Sequence, residues 1–128
     1  MEHPKMFSDD DPVLARVRRI ALDLPEAAEK VSHGRPAFYT VKIFAYYGGS
    51  QKVDGEWVQH PESIMLLADL DGQSALRAMR GAYVPGYLGP YGWTGLDLDD
   101  RTDWGDLADL IAESYSFTAP ARLRRLLD

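Results

Sequence analysis

The succession of elements in the sequence predicts an α+β fold, an antiparallel sheet with helices packed mainly on one face. Three observations predict it. The order runs helix, strands, helix, strands, helices, without the strict strand–helix alternation of a doubly wound parallel sheet. The middle of the chain is rich in aromatic and β-branched residues, which favour strands. Turn dipeptides such as Asp54-Gly55 punctuate it, as hairpins require. A length of 128 residues suits one domain over 1–128, with 1–7 expected as a loose tail.

A first helix is expected over about 9–23. Ser8 or Asp9 can cap it, Pro12 is tolerated in its first turn, and Pro25 ends it. Val13, Val17, Ile20 and Leu24 recur at helical spacing and mark its buried stripe. Gly34–Pro36 reads as a break. Residues 37–47 then form either one strand or two strands joined near Thr40–Lys42. Asp54-Gly55 predicts a hairpin, and "SIMLLADL" at 63–70 reads as a central strand. Asp71 can cap a short helix over 72–80 that buries Ala75, Leu76 and Met79. Residues 82–88 and 92–98 are expected to pair around Gly89–Gly92, with Trp93 buried and Leu96 and Leu98 facing the core. Thr102 or Asp103 caps a helix near 103–116, whose inner face carries Leu107, Leu110, Ile111 and Ser114. Pro120 starts the last helix.

The composition excludes several chemistries. There is no cysteine, hence no disulfide, thiolate nucleophile, zinc–cysteine site or iron–sulfur cluster. His3, His33 and His60 are scattered, with no HExxH, so no metal site is expected. No serine sits in a GxSxG elbow. The glycines of 81–95 never form GxGxxG, and no cofactor is expected. The acids of 97–113 read as a solvated helix face. With no catalytic constellation, the protein is expected not to be an enzyme. The polar, acidic N-terminus does not resemble a signal peptide, and the longest apolar run, "IMLLA", is far too short to cross a bilayer. A cytoplasmic protein without membrane partners is the expectation. The net charge of −6 weighs against nucleic acid, although an acidic protein can carry a basic face.

Two sets of residues remain as site candidates. Arg16 and Arg19 lie on the first helix, while Arg35 and Lys42 are interleaved with Phe38, Tyr39 and Phe44. Cations beside aromatics can hold phosphates and stack on bases. The other set is His33, Arg35, Tyr83, Tyr87 and Trp93, aromatic walls with a few polar groups, the make-up of a small-ligand pocket.

"LDLPEAAEKVSHGRPAF", "KIFA" at 42–45 and "GYLGPYGWTGLDLDDRTDWGDLADLIAESYSFTAPARL" together resemble the MmcQ/YjbR family over about residues 11–127. One departure is Tyr39-Thr40-Val41, where that pattern has a glycine-containing turn. The resemblance implies a single domain with a frataxin-like (CyaY-like) fold, and a DNA-binding role through a winged basic surface. On that ground a non-enzymatic DNA-binding protein using Arg16, Arg19, Arg35 and Lys42 is the first reading. A small-ligand or protein-partner domain around His33, Arg35, Tyr83, Tyr87 and Trp93 is the second. Iron binding, by analogy with frataxins, is a third. Fold alone does not decide between them.

Overall fold

A computed structural model describes residues 4–127. In chain order it contains α1 (Pro12–Ala21), β1 (Ala28–Ser32), β2 (Arg35–Tyr39), β3 (Ile43–Val53) and β4 (Glu56–Leu67). There follow α2 (Leu70–Arg77), β5 (Ala82–Tyr83), β6 (Trp93–Asp97), α3 (Trp104–Thr118) and α4 (Ala121–Arg124). The six strands form one sheet in the order β1-β2-β3-β4-β6-β5, and every neighbouring pair is antiparallel. The architecture is the α+β arrangement that the sequence predicts.

Hairpin chemistry organises the first four strands. Asp54 and Gly55 both take positive φ, 51° and 81°, the geometry of a two-residue turn whose twist matches that of the flanking strands. His33 and Gly34 repeat it, at 54° and 81°, and join β1 to β2. Strand β1 escapes the sequence reading because "AEKVS" is polar and carries no strand alternation. It lies at the sheet edge, where ladder pairing with β2 rather than burial holds it. The segment 37–47 resolves into two strands joined at 40–42.

Helix α1 begins later than expected. Asp11, not Ser8 or Asp9, caps it, accepting from the N–H groups of Val13 and Leu14, and Pro12 fills the first helical position. The buried stripe is Leu14, Val17 and Ala21, with Val13, Ile20 and Leu24 half-buried at its margin. Alanine gives little apolar signal in a sequence, yet its small size suits close packing. Helix α2 is capped by Asp69, whose carboxylate accepts from Gly72 N–H at 2.8 Å. The helix starts two residues early and ends at Arg77, so Met79 lies beyond it. Leu76 is buried, while Ala75 and Met79, expected inside, are exposed. Strand β5 is only two residues long, so the expected pairing over 82–88 stops at Tyr83. The chain then leaves the ladder and returns through Gly92, at φ 97°, into β6.

The core lies between the sheet and helices α1 and α3. Phe38, Phe44, Tyr47, Ile64, Leu66 and Leu96 of the sheet meet Leu14 and Val17 of α1 and Leu107, Ile111 and Tyr115 of α3. The register of β2 against β3 shifts between Phe38 and Tyr39, so Phe44 is the extra residue of a bulge. Ser114 of α3 repairs the bulge. Its hydroxyl donates to Phe44 O and accepts from Leu67 N–H at 2.9 Å. Tyr115 meets Phe44 edge-on at 5.3 Å and donates to Pro25 O at 2.6 Å. Tyr47 donates to the Asp11 carboxylate that also caps α1, tying the helix start to β3.

Of the stretch read as a loose tail, residues 1–3 lie outside the described residues. Residues 4–7 have no regular structure, but Met6 N–H donates to Gly34 O at 2.9 Å. Among the described residues no helix is long and apolar enough to cross a membrane.

Candidate ligand-binding site

The face of the sheet opposite α1 and α3 is built differently. Because side chains alternate along a strand, Tyr46, Met65 and Gly95 point away from the helices while their neighbours enter the core. Met65, Tyr83 and Trp93 form a second buried cluster there, edged by Ile43, Tyr46, Leu67 and Leu88. Trp93 is 7% exposed and meets Tyr46 at 5.2 Å, so it is buried as its sequence position predicts. Gly95 and Gly49 have no side chain because Tyr83 lies directly over both, and a Cβ on either would overlap it.

The residues 84–91 cover part of this face. Gly86 N–H donates to Ser50 O at 3.0 Å, and a Cβ on Gly86 would overlap the Trp57 ring. Arg77 of α2 fastens the return, donating to Gly89 O at 3.0 Å, Trp93 O at 3.2 Å and Thr94 Oγ1 at 3.1 Å. Tyr87, with φ 61° and 78% exposed, leans on Trp57 at 5.3 Å. Between this segment and the strands lies a cavity of about 410 Å³. Its apolar walls are Tyr46, Trp57, Met65 and Leu88, and its polar groups include Arg35, His33 and Gln59.

Arg35 is the unusual residue of the cavity. It is 7% exposed, and its Nη2 donates to the neutral amide oxygen of Gln59. Among the described residues no carboxylate pairs with it. Loss of water around the guanidinium pushes its ionisation below the usual arginine value, with nearby Tyr83 acting the other way. Among the described residues no aspartate or glutamate lines the cavity, in a chain with 20 of them. Gly48, at φ 83°, leaves room for Arg35 Nη1, which a Cβ there would displace.

The floor is more fully satisfied. Tyr83 OH and Ser63 Oγ share a hydrogen bond of 2.7 Å, and burial pushes the Tyr83 phenol up to about 12. His60 stacks on Tyr83 at 3.8 Å. Its ring nitrogens meet Asp97 Oδ1 and Gln51 Oε1, both at 2.8 Å.

The two candidate sets fare differently. His33, Arg35 and Tyr87 line this one cavity, and Tyr83 and Trp93 pack in the apolar layer beside it. Arg16, Arg19, Arg35 and Lys42 are not brought to one surface. Arg16 is exposed on α1 and stacks over Trp104 at 4.4 Å, Arg19 is exposed on α1, and Lys42 is exposed in the β2–β3 turn. Arg35 is buried on the sheet face away from α1. The sequence reading missed Tyr46, Trp57, Met65 and Gln59. The Asp54-Gly55 hairpin was the available signal for two of them, since Trp57 and Gln59 alternate along β4 beside that turn. Among the described residues no group of three or more His, Cys, Asp or Glu could hold a metal ion.

Fold and cavity define the class: an antiparallel α+β domain with one helix-covered face and one aromatic face that holds a buried cation. The chain belongs to the YjbR family, whose model matches residues 22–117 and so includes the cavity from Ser32 to Leu88. The crystal structure of Deinococcus radiodurans protein DR2400, with the family-model domain DUF419, is similar with a TM-score of 0.59 at 18% identity. The likeness covers 99% of this chain and 91% of that one, and it shows the fold. No curated protein matches.

Proposed function

We propose that this YjbR protein is a non-enzymatic binding domain for a small organic anion with an apolar body, held in the cavity around Arg35. One observation carries the reading. A buried guanidinium with a single neutral acceptor is costly to keep, since charges taken out of water are ordinarily paired. An anion entering the cavity would supply the missing partner, and Tyr46, Trp57 and Met65 would cover its apolar part. The DNA-binding reading has less support. One of its four residues faces this cavity, another stacks on Trp104, and the net charge of −6 opposes a phosphate backbone. The absence of cysteine fits a cytoplasmic setting.

The test uses 8-anilino-1-naphthalenesulfonate, a flat apolar anion, as probe. It is titrated into the folded protein while amide resonances are followed. The expected result is one saturable site, with shifts concentrated at residues 32–35, 46–50, 57–59 and 85–88. Shifts spread over α1 and α3, or no saturable site, would remove the reading. A labelled duplex at low salt, run in parallel, tests the rival. Tight duplex binding with a steep salt dependence would restore the DNA-binding reading.

A further inference from the structure

We infer that the anion this cavity takes is a planar carboxylate, rather than a phosphate ester; the inference rests on the cavity reading above. Three features of the lining carry it.

The first is charge. Among the described residues Arg35 is the one lining side chain that is cationic at every pH of interest, and no lysine joins it. A carboxylate brings one negative charge and is neutralised by one guanidinium. A phosphate monoester brings close to two, and would leave charge uncompensated in a cavity walled by Tyr46, Trp57, Met65 and Leu88.

The second is the backbone. Buried phosphates are commonly held by N–H groups at a helix N-terminus or in a glycine-rich nest. Among the described residues no helix contributes to the lining. Its residues come from the turn between β1 and β2, from β2, β3 and β4, from the segment 85–88, and from Met6. The N–H of Gly86 is already taken by Ser50 O and that of Leu88 by Gly86 O, at 3.0 and 2.7 Å.

The third is shape. Gln59 occupies Nη2 on one side of the guanidinium, and among the described residues nothing accepts from Nη1 or Nε; Gly48 lets Nη1 lie close against the backbone. The aromatic walls suit a flat ring attached to that carboxylate.

The experiment displaces the naphthalenesulfonate probe with three ligands that share a phenyl ring: benzoate, phenyl phosphate and benzamide. Wild type, Arg35→Lys and Arg35→Gln are compared, and circular dichroism checks that each variant is folded. Benzoate is expected to compete at least about tenfold better than phenyl phosphate or benzamide, a difference of roughly one power of ten in Kd. Arg35→Gln removes the charge, so benzoate should weaken at least about tenfold in it while benzamide changes less, and Arg35→Lys, which keeps the charge, should lose less. Phenyl phosphate competing as well as benzoate overturns the carboxylate assignment and leaves the cavity reading standing. Benzoate failing to displace a probe that amide shifts place in the cavity also overturns the assignment. A probe that binds elsewhere removes the cavity reading itself, so the two failures are distinct.

Discussion

The two faces of the sheet bury similar side chains to different ends. On the helix-covered face each buried polar group named above has a partner of matching kind. Tyr47 meets the Asp11 carboxylate, Tyr115 meets Pro25 O, and Ser114 bridges Phe44 O and Leu67 N–H. On the far face Tyr83 and His60 are matched too, but Arg35 brings five N–H donors and a full charge to one amide oxygen. The helix-covered face is filled by helices; the far face is partly covered by a glycine-containing segment and keeps a cavity of about 410 Å³. Burial alone therefore does not tell a packed face from the face proposed to bind; the charge of Arg35, with no carboxylate partner among the described residues, does.

That difference can be broken at either face. Truncating Phe44, which is fully buried and packed on Tyr115, should cost about 3–5 kcal/mol in urea unfolding and leave probe affinity unchanged. A parallel loss of affinity would mean that the faces are not independent.

A smaller effect lies beneath the cavity. Burial holds the Tyr83 phenol up to about 12, above the ordinary value for a tyrosine. A group whose folded pKa is raised contributes stability that is full below its unfolded pKa. That stability is lost as pH rises through the folded value, because the unfolded state gives up the proton first. Unfolding free energy should thus begin to fall near pH 10, with about 1 kcal/mol of the loss at pH 11 due to Tyr83. Tyr83→Phe should show a shallower decline over pH 9 to 11.5 in urea titrations. Identical slopes would mean that this phenol is not desolvated as described.

The strands and helices were legible where one local rule governs. Asp54-Gly55 announces its turn, and Leu107 and Ile111 repeat at helical spacing, so hairpin and helix stand where they are expected. Strand β1 was not legible, because Glu29 and Lys30 on an edge strand follow ladder pairing rather than a burial pattern. The cavity was legible in part. His33 and Arg35 flank one tight turn, and residues close in sequence stay close in space. Trp57 and Gln59 reach them only through the pairing of β3 with β4, which no short window contains. Arg35 shows the limit most clearly. The same residue reads in sequence both as a phosphate contact and as a pocket group, and only its burial with no carboxylate partner among the described residues favours the second.

The smallest expected change in stability gives the most direct test of the central claim. If Arg35 is kept for an anion and not for the fold, replacing it with methionine removes an unpaired buried charge and retains apolar volume. Such replacements are neutral or stabilising, by up to about 1–4 kcal/mol where buried ionic groups have been exchanged for apolar ones. The measurement is urea unfolding and naphthalenesulfonate affinity on the same Arg35→Met sample. The account predicts stability equal to or above wild type, together with probe affinity reduced at least about tenfold, or roughly 1.4 kcal/mol. A destabilised variant that binds the probe as well as wild type would contradict it and make Arg35 a structural residue.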